Sequence, residues 1–484
     1  MIRTISKEQV LDRIRYENPW WITGHIEEDY NSMSRRLYFD LFKLLVYEKV
    51  RRAVVLMGPR RVGKTVILHH LVEDLISNKI NPQKIIFITI ENPIYNNISL
   101  EQLFLYAREA SGTKDKSDYI VIFDEIQYLK NWEVHLKSLA DSYRKDKFIV
   151  SGSAAAALKY ASKESGAGRF TDFLLPPLTF NEYISLMGFE RIIQPIDLRW
   201  KDHIATFYSS NHIDQLNKHF INYINFGGYP EVIFSESIQA NPGRYIRHDI
   251  IDKVLLRDLP GLYGISDTRE LNSLFTTIAY NTSGEFSLDA LSNQSNVPKN
   301  TLKKYLEYLE AAFLIRIVRR IDQSGKKFKR DNFFKIYLTN PSLRSALFSP
   351  VMATDEMTGQ LTETAIFSQW MHRDWFTPWY ARWSNGEVDL VGLSELNLKP
   401  QWAVEIKWTN RYFNHPKELK SLYKFCTENK LNHPIVTTID KEGALNYNGL
   451  TIHFLPASAY AYTVGRNTIE MKHSTLRTDH LGIQ

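Results

Sequence analysis

The chain has 484 residues and a formal net charge of +6. Its single cysteine, Cys426, excludes an intramolecular disulfide and a zinc site built from cysteines. No run reaches the roughly 20 apolar residues that cross a bilayer, and residues 1–21 lack the pattern of a signal peptide. We therefore expect a soluble, cytoplasmic protein without a membrane partner, long enough for about three domains.

Residues 1–180 are expected to form the first domain, because short β-branched runs alternate there with amphipathic segments. This pattern is typical of a parallel sheet covered by helices. The predicted strands are Ala53–Met57, Lys84–Ile90, Tyr119–Phe123 and Lys147–Val150.

A phosphate-binding loop follows the first predicted strand and precedes the helical pattern Val66–Leu75. The motif is G-x-x-x-x-G-K-T, whose glycines let backbone N–H groups face phosphates at a helix N-terminus. Lys64 is expected to reach the β- and γ-phosphates, and Thr65 to bind Mg²⁺. A simple glycine turn with a surface lysine is the alternative, which the strand–loop–helix context disfavours. The residues expected to hold ATP are Gly58, Pro59, Arg60, Arg61, Val62, Gly63, Lys64, Thr65 and Val66.

Two carboxylates, Asp124 and Glu125, end the third predicted strand. Beside a phosphate loop, Asp124 is expected to hold Mg²⁺ through water and Glu125 to polarise the attacking water. Alone, such a pair is often a helix cap. A water-activating glutamate favours ATP hydrolysis over phosphoryl transfer to a small molecule.

Three further residues are candidates for the same site. Ser151 and Ser153 follow the fourth strand, where they would contact the γ-phosphate or the water, or merely cap the next helix. Arg169 is a candidate arginine finger, acting in cis or across a subunit boundary. Its alternative is an ordinary surface arginine.

Residues 181–250 are helical and aromatic and are broken by Gly227, Gly228 and Pro230, which predicts a lid or a connecting segment. Residues 251–347 are predicted to be mainly helical. Within them, Leu288–Leu314 has the pattern of two amphipathic helices joined by a short turn.

This helix pair and the basic hairpin expected after it resemble a winged helix, for which DNA is the natural partner. Winged helices also serve as packing modules, and lysine-rich faces are often only solvated. The basic residues are Lys299, Lys303, Lys304, Arg316, Arg319, Arg320, Lys326, Lys327, Lys329 and Arg330.

Residues 348–465 return to strands around Glu387–Val391 and Trp402–Ile406, so a further α/β domain is expected. Asp389, Glu405 and Lys407 have the spacing of the PD-(D/E)XK nuclease core, and strand alternation puts Glu405 and Lys407 on one face.

In this interpretation Asp389 and Glu405, with Glu363 from a helix, bind Mg²⁺ or Mn²⁺, and Lys407 positions the attacking water. The alternatives are a surface acidic hairpin or a nuclease-like fold kept only for binding. Residues 466–484 are expected to be a polar, loosely ordered tail.

Together these motifs resemble the archaeal-type AAA+ ATPases of prokaryotes that carry a C-terminal domain of unknown function. The resemblance also rests on Asn18-Pro19-Trp20-Trp21, on Gln127 and on Gly227-Gly228-Tyr229-Pro230-Glu231. It implies an α/β class, with a parallel-sheet P-loop AAA+ ATPase core followed by a helical winged-helix domain and an α/β restriction-endonuclease-like domain. A homo-oligomer is expected.

Two functions follow as hypotheses. The first is an ATP-driven enzyme that binds nucleic acid and couples ATP to the C-terminal nuclease-like domain, which would suit a defence role against foreign DNA. The second is a nucleotide-switched signalling or assembly ATPase, in which the nuclease-like fold only binds DNA or a protein partner.

Overall fold

The computed structural model describes residues 5–115, 117–153, 168–200, 203–328 and 332–481. The chain divides into two compact units, Met1–Pro176 with Lys472–Gln484, and Pro177–Met471. No described helix combines the length and the apolar character that a membrane span requires.

The first unit contains a parallel sheet of five strands in the order β2-β3-β4-β1-β5. The four predicted strands are confirmed with small shifts at their ends, whereas β5 was not predicted. Two adjacent polar residues, Thr171 and Asp172, interrupt the apolar residues of β5, which weakens its signal as a buried strand. The strands are β1 (Ala53–Met57), β2 (Ile85–Thr89), β3 (Ile120–Asp124), β4 (Lys147–Gly152) and β5 (Phe170–Leu174).

Helices cover this sheet, and apolar side chains of Lys7–Glu17, Leu100–Ser111 and Trp132–Ser142 share a buried core with it. Helix Leu100–Ser111 begins where Ser99 Oγ accepts a hydrogen bond from Gln102 N, and it ends at the left-handed Gly112. The remaining helices before residue 177 are Trp20–Thr23, Glu28–Asn31, Tyr38–Tyr47 and Lys64–Ser77, with 3₁₀ turns at Pro82–Lys84, Pro93–Tyr95 and Ile126–Tyr128.

The outer edge of strand β2 is covered by side chains from the N-terminal segment. Asn18 donates to Phe87 O at 2.8 Å and accepts from Phe87 N at 2.7 Å, as a neighbouring strand would. The indole nitrogens of Trp20 and Trp21 both donate to Ile85 O, at 3.0 and 2.8 Å. An unpaired strand edge is a template for aggregation, and these contacts close it.

The second unit contains a two-stranded hairpin and a nine-stranded sheet in the order β15-β16-β14-β13-β12-β11-β9-β10-β8. The hairpin strands are β6 (Gln194–Trp200) and β7 (His203–Ser209). The nine strands are β8 (Glu285–Ser287), β9 (Ile315–Ile321), β10 (Phe333–Leu338), β11 (Trp379–Trp383), β12 (Gly386–Leu393), β13 (Pro400–Glu405), β14 (Ile435–Thr438), β15 (Gly443–Tyr447) and β16 (Leu450–Pro456).

One parallel pairing joins the two halves of the large sheet. Tyr380 and Ala381 of β11 pair with Arg320 and Ile321 of β9. Strand β8, which precedes the helix pair, and strands β9 and β10, which follow it, are therefore continuous with the strands that carry the C-terminal acidic residues.

The helix pair is confirmed as Leu288–Ser295 and Lys299–Ala311, with Asn296 in the left-handed conformation between them. The other helices after residue 176 are Phe180–Leu186, Ile213–Phe226, Pro230–Ile233, Glu236–Ala240, Leu259–Tyr263, Thr268–Tyr280, Ser342–Leu347, Thr358–Trp370, Arg411–Asn414, Lys420–Asn429 and Ala457–Leu481; π-helical turns span Gly243–Asp252 and Val254–Asp258, and 3₁₀ turns Glu190–Ile192 and Pro416–Glu418.

A buried polar network ties the predicted lid or connecting segment 181–250 to later parts of the second unit. Tyr223 Oη donates to Leu178 O at 2.8 Å and accepts from Gln369 Nε2 at 2.9 Å. Asn225 Nδ2 donates to Val351 O at 2.8 Å. The segments 181–250, 251–347 and 348–465 thus lie in one compact unit, and their division into functional domains stays a prediction.

The expectation of a loosely ordered tail after residue 465 was wrong for the described residues. Helix Ala457–Leu481 runs through most of that segment. The sequence there is polar but has no glycine after Gly465 until Gly482 and no proline, so nothing in it ends the helix.

Candidate functional site

The phosphate loop joins the carboxyl end of β1 to helix Lys64–Ser77. Gly58 is required sterically, because a side chain there would collide with the carbonyl oxygen of Leu175. Gly63 has φ +94°, a conformation that glycine adopts without strain. Lys64 Nζ donates to Gly58 O at 3.2 Å and to Pro59 O at 2.8 Å, so its ammonium lies over the loop.

The acidic end of β3 lies directly beside the loop. Thr65 Oγ1 donates to Asp124 Oδ2 at 2.8 Å, and Ser151 Oγ donates to Asp124 Oδ1. Burial, with Glu125 nearby, raises the pKa of Asp124 to about 6. The Thr65 hydroxyl and the Asp124 carboxylate are hard oxygen ligands, so these residues fit Mg²⁺ beside a bound triphosphate.

Strand β4 lies between β3 and β1 and therefore brings the two predicted serines to this edge of the sheet. Ser151 Oγ accepts from Glu125 N at 3.1 Å while donating to Asp124. Ser153 Oγ is buried and has no hydrogen-bond partner among the described residues. A polar group without a partner is costly to bury, which favours a ligand there.

Glu125 has the left-handed backbone conformation, with φ +56°. Non-glycine residues rarely adopt it, and such strain is concentrated at functional sites. The side chain accepts a hydrogen bond from Gln127 Nε2, and Gln127 Oε1 accepts from Ser153 N at 3.1 Å. Gln127 thus links the predicted water-activating residue to Ser153.

Arg36 is a site residue that the sequence analysis missed. Its guanidinium is buried and donates from Nη1 to Val62 O and to Pro176 O, both at 2.9 Å. It therefore fastens the phosphate loop to the segment after β5. Since Arg36 lies 26 residues before Val62, no local motif could have identified it.

Arg169 lies at the amino end of β5. Ala53 at the start of β1 donates to Arg169 O, whereas the phosphate loop follows Met57 at the other end of β1. Five residues at 3.3 Å each separate the two edges by roughly 16 Å. Arg169 also forms an exposed ion pair with Asp141 at 2.7 Å. A role in cis does not fit this position, and a role across a subunit boundary stays a prediction.

Of the four predicted C-terminal site residues, Asp389 and Glu405 both contact Lys407. Lys407 Nζ lies 2.9 Å from Asp389 Oδ2 and 2.9 Å from Glu405 Oε1. Burial and the Asp389 carboxylate raise the pKa of Glu405 to about 7. Burial opposes ionisation of Asp389, but Lys407 and Lys335 outweigh it and hold the pKa of Asp389 below its usual value.

Lys335 of β10 is a second cation in this cluster, and the sequence analysis missed it. Its Nζ lies 2.9 Å from Glu363 Oε1, 2.6 Å from Glu387 Oε1 and 3.9 Å from Asp389 Oδ1. Tyr337 Oη also donates to Glu363 Oε1, at 2.6 Å. We call these residues the acid–lysine cluster: Lys335, Tyr337, Glu363, Glu387, Asp389, Glu405 and Lys407.

The contacts of Lys335 with Glu363 and Asp389 do not fit the predicted metal site at these two residues, whereas Glu405 Oε2 is buried without a hydrogen-bond partner in the part of the chain that the structure describes. Ammonium groups bridge the carboxylates where Mg²⁺ or Mn²⁺ was expected. Among the described residues, no group of three or more His, Cys, Asp and Glu side chains is arranged to hold a metal ion. The physical reason is Lys335, a cation supplied from a distant strand that sequence spacing does not reveal.

The predicted basic face is only partly exposed. Lys299, Lys303 and Lys304 are exposed on helix Lys299–Ala311, but Lys299 forms an ion pair with Asp289, and Arg316 forms one with Glu310. Lys329 and Arg330 lie outside the described residues.

The tip of the hairpin β9–β10 packs within the second unit. Asn429 Nδ2 donates to Gln323 O at 2.9 Å, and Lys327 lies over the Trp379 ring, 4.5 Å from its centroid. A side chain on Gly325 would collide with Pro400. The exposed helix is therefore a better candidate for phosphate contact than the hairpin.

A family model described as "AAA domain" matches residues 50–184, which hold β1 to β5 and the phosphate loop. Residues 50–184 are therefore similar to an AAA domain. The parallel sheet, the phosphate loop and the Asp–Glu pair of this region agree with a P-loop ATPase that binds a nucleotide, usually with Mg²⁺. A second model, "Domain of unknown function (DUF8612)", matches residues 217–354.

Three curated proteins described as uncharacterized resemble most of the chain. One from Methanocaldococcus jannaschii is 24% identical over 402 residues, which cover 81% of this chain and 82% of the relative. One from Haemophilus influenzae is 25% identical over 317 residues, which cover 64% of this chain and 72% of the relative. A second M. jannaschii protein is 24% identical over 354 residues, which cover 70% of this chain and 72% of the relative.

Two solved structures resemble the chain slightly. The Aeropyrum pernix ORC1 protein in complex with DNA has a TM-score of 0.32 and 10% identity, over 68% of this chain and 95% of that one. The Saccharomyces cerevisiae Hsp104–ADP complex has a TM-score of 0.28 and 12% identity, over 56% and 37%. Scores this low support no inference about ligands.

Proposed function

We propose that this AAA domain hydrolyses ATP with Glu125 as the residue that activates water, and that the second unit binds nucleic acid. The observation that carries the ATPase proposal is the contact between Thr65 and Asp124 beside the phosphate loop. This hydrogen bond joins the two predicted magnesium ligands directly.

In this proposal the loop N–H groups and Lys64 hold the phosphates, and bound Mg²⁺ neutralises charge that develops on them. Glu125 accepts the proton of the attacking water, and Gln127 holds the Glu125 carboxylate in place. Ser151 keeps Asp124 in its orientation. The buried hydroxyl of Ser153 is assigned to the γ-phosphate or the water.

The test is a Glu125→Gln substitution, which keeps the side-chain shape and removes the base. ATP turnover should fall about 100-fold or more, while binding of a fluorescent ATP analogue is retained. The exposed Glu101→Gln is the matched control and should turn over ATP normally. Normal turnover in Glu125→Gln would refute the assignment of Glu125.

The proposed nucleic-acid surface is the exposed face of helix Lys299–Ala311, in an arrangement typical of a winged helix. Thr268–Tyr280, β8, the helix pair and the hairpin β9–β10 follow one another in the order of that motif. Lys303 and Lys304 lie on the exposed side. Lysines at such a face bind phosphates and release counterions, so binding weakens with salt.

The test is a Lys303→Glu/Lys304→Glu double variant, measured by fluorescence anisotropy with duplex DNA at several salt concentrations. Affinity should fall at least tenfold at low salt, and the salt dependence should decrease by about one to two phosphate contacts. The exposed Lys417→Glu/Lys420→Glu is the charge-matched control. Equal losses in both variants would show that only net charge matters.

A nucleotide-switched assembly is the second candidate function. It is favoured by the acid–lysine cluster, whose bridging ammonium groups suit a binding or structural role better than metal-dependent cleavage. It predicts that the mass measured by light scattering changes between ATP, ADP and no nucleotide. A mass that stays constant under all three conditions would refute the nucleotide-switched assembly. Cleavage of DNA and a defence role have no support in the cluster geometry and are not part of the proposal.

A further inference from the structure

Lys335 is buried, with 4% of its surface exposed, yet it belongs to β10 and not to the strands that carry Asp389 and Glu405. Within the sheet, Lys335 pairs with Glu285 of β8 and with Val318 of β9. Strand β10 thus supplies a cation to the acidic residues of β12 and of helix Thr358–Trp370.

The contacts of Lys335 fix its ammonium firmly. Glu363 and Glu387 both lie within 3 Å of Nζ, and Asp389 lies at 3.9 Å. The Tyr380 ring lies beside it, with its centroid 5.4 Å from Nζ. Charge-assisted hydrogen bonds of this length are among the stronger ones in proteins.

The charges of the acid–lysine cluster also argue against a divalent metal ion at this position. The cluster has four carboxylates, Glu363, Glu387, Asp389 and Glu405, and they face the ammonium groups of Lys335 and Lys407. The Arg382 guanidinium pairs with Glu387 as well. Three cations therefore already compensate most of the negative charge that a divalent ion would otherwise neutralise.

We infer that Lys335 is a built-in counter-ion that occupies the place of the divalent cation and makes the acid–lysine cluster independent of metal. A metal ion bound to Glu363 and Asp389 would have to share the carboxylate oxygens with the Lys335 ammonium. The metal ion and the ammonium are both positively charged and would repel each other. Displacing Lys335 would leave a buried ammonium without its partners, which is strongly unfavourable. The C-terminal cluster therefore fixes the junction of β10 with β12 instead of activating water.

The experiment measures Mn²⁺ binding by electron paramagnetic resonance on nucleotide-free, full-length protein. Wild type and Asp389→Asn should bind the same small amount of Mn²⁺, because the cluster contributes none. Wild-type binding that is lost in Asp389→Asn would overturn the inference, and this comparison needs no variant of Lys335.

Two substitutions of Lys335 sharpen the test. Lys335→Met removes the ammonium and should gain about one Mn²⁺ per chain, and the gain should disappear in Lys335→Met/Asp389→Asn. Lys335→Arg keeps the charge and should gain none. A folded Lys335→Met protein, checked by circular dichroism, that gains no Mn²⁺ would contradict the inference.

Discussion

His69 is a buried histidine packed between two rings. Its ring stacks on Tyr30, with centroids 3.8 Å apart, and on Phe87 at 4.7 Å. Its Nδ1 has no hydrogen-bond partner among the described residues. Burial, assisted by neighbouring His70, lowers the pKa of His69 from 6.5 to about 4. The folded protein therefore holds this ring neutral where an unfolded chain would protonate it.

The low pKa of His69 makes the stability of the folded protein depend on pH. Between pH 6.5 and about 4 the unfolded state binds more protons at this position, so stability falls as the pH falls through that window. The His69 contribution should be lost progressively, up to roughly 3 kcal/mol at pH 4.

The measurement is urea unfolding at pH 7.5 and at pH 5, compared between wild type and His69→Phe, which keeps a ring and cannot titrate. The variant should lose less stability on acidification. If wild type and His69→Phe lose the same amount of stability between pH 7.5 and pH 5, protonation of His69 is not the cause of that loss.

At the scale of an element, the edge of strand β2 depends on Asn18, which is 1% exposed. Asn18→Ala removes both hydrogen bonds to Phe87 and leaves that N–H and carbonyl without partners. We expect a loss of about 2–4 kcal/mol in the free energy of unfolding and faster aggregation, because the strand edge opens.

The measurement is thermal unfolding together with light scattering at elevated temperature. Asn31→Ala, at an exposed position, is the control and should behave like wild type. An Asn18→Ala protein that is as stable and as soluble as this control would show that the two tryptophans suffice to protect the edge.

At the scale of the whole molecule, the pairing of β9 with β11 makes residues 177–471 one folding unit. A fragment of these residues should be soluble and unfold in one cooperative transition. A fragment of residues 177–347 lacks β11, so β9 keeps an open edge and Lys335 loses the carboxylates Glu363, Glu387 and Asp389. It should aggregate.

Size-exclusion chromatography and circular dichroism of the two fragments check this prediction. A soluble, monomeric 177–347 fragment with native helix content would mean that the helix pair and its three strands fold without the rest of the sheet.

The sequence predicted what is encoded locally. The phosphate loop, the Asp–Glu pair and the helix pair each occupy a short run, so their residue types and spacing identified them, and the structure confirms the strands and helices that carry them. The roles assigned to Glu125 and Ser153 stay predictions.

What the sequence could not give depends on contacts between distant segments. Arg36 reaches the loop from the segment before helix Tyr38–Tyr47, and Lys335 reaches the acidic residues from another strand; neither lies in a recognisable motif. Spacing correctly grouped Asp389, Glu405 and Lys407, but it could not reveal the cation that changes their chemistry. The sequence left open whether Arg169 acts in cis or across a subunit boundary, because the position of β5 in the sheet was unknown.

The nine-stranded sheet links the inheritance of residues before and after position 354. The family model that matches the helix pair ends at residue 354, between β10 and β11, yet the hydrogen-bonded sheet continues through that point. Recombination at this boundary would separate Lys335 from three of its acidic neighbours and β9 from its partner strand. The two parts are therefore expected to descend together as one evolutionary module, although sequence models divide them there.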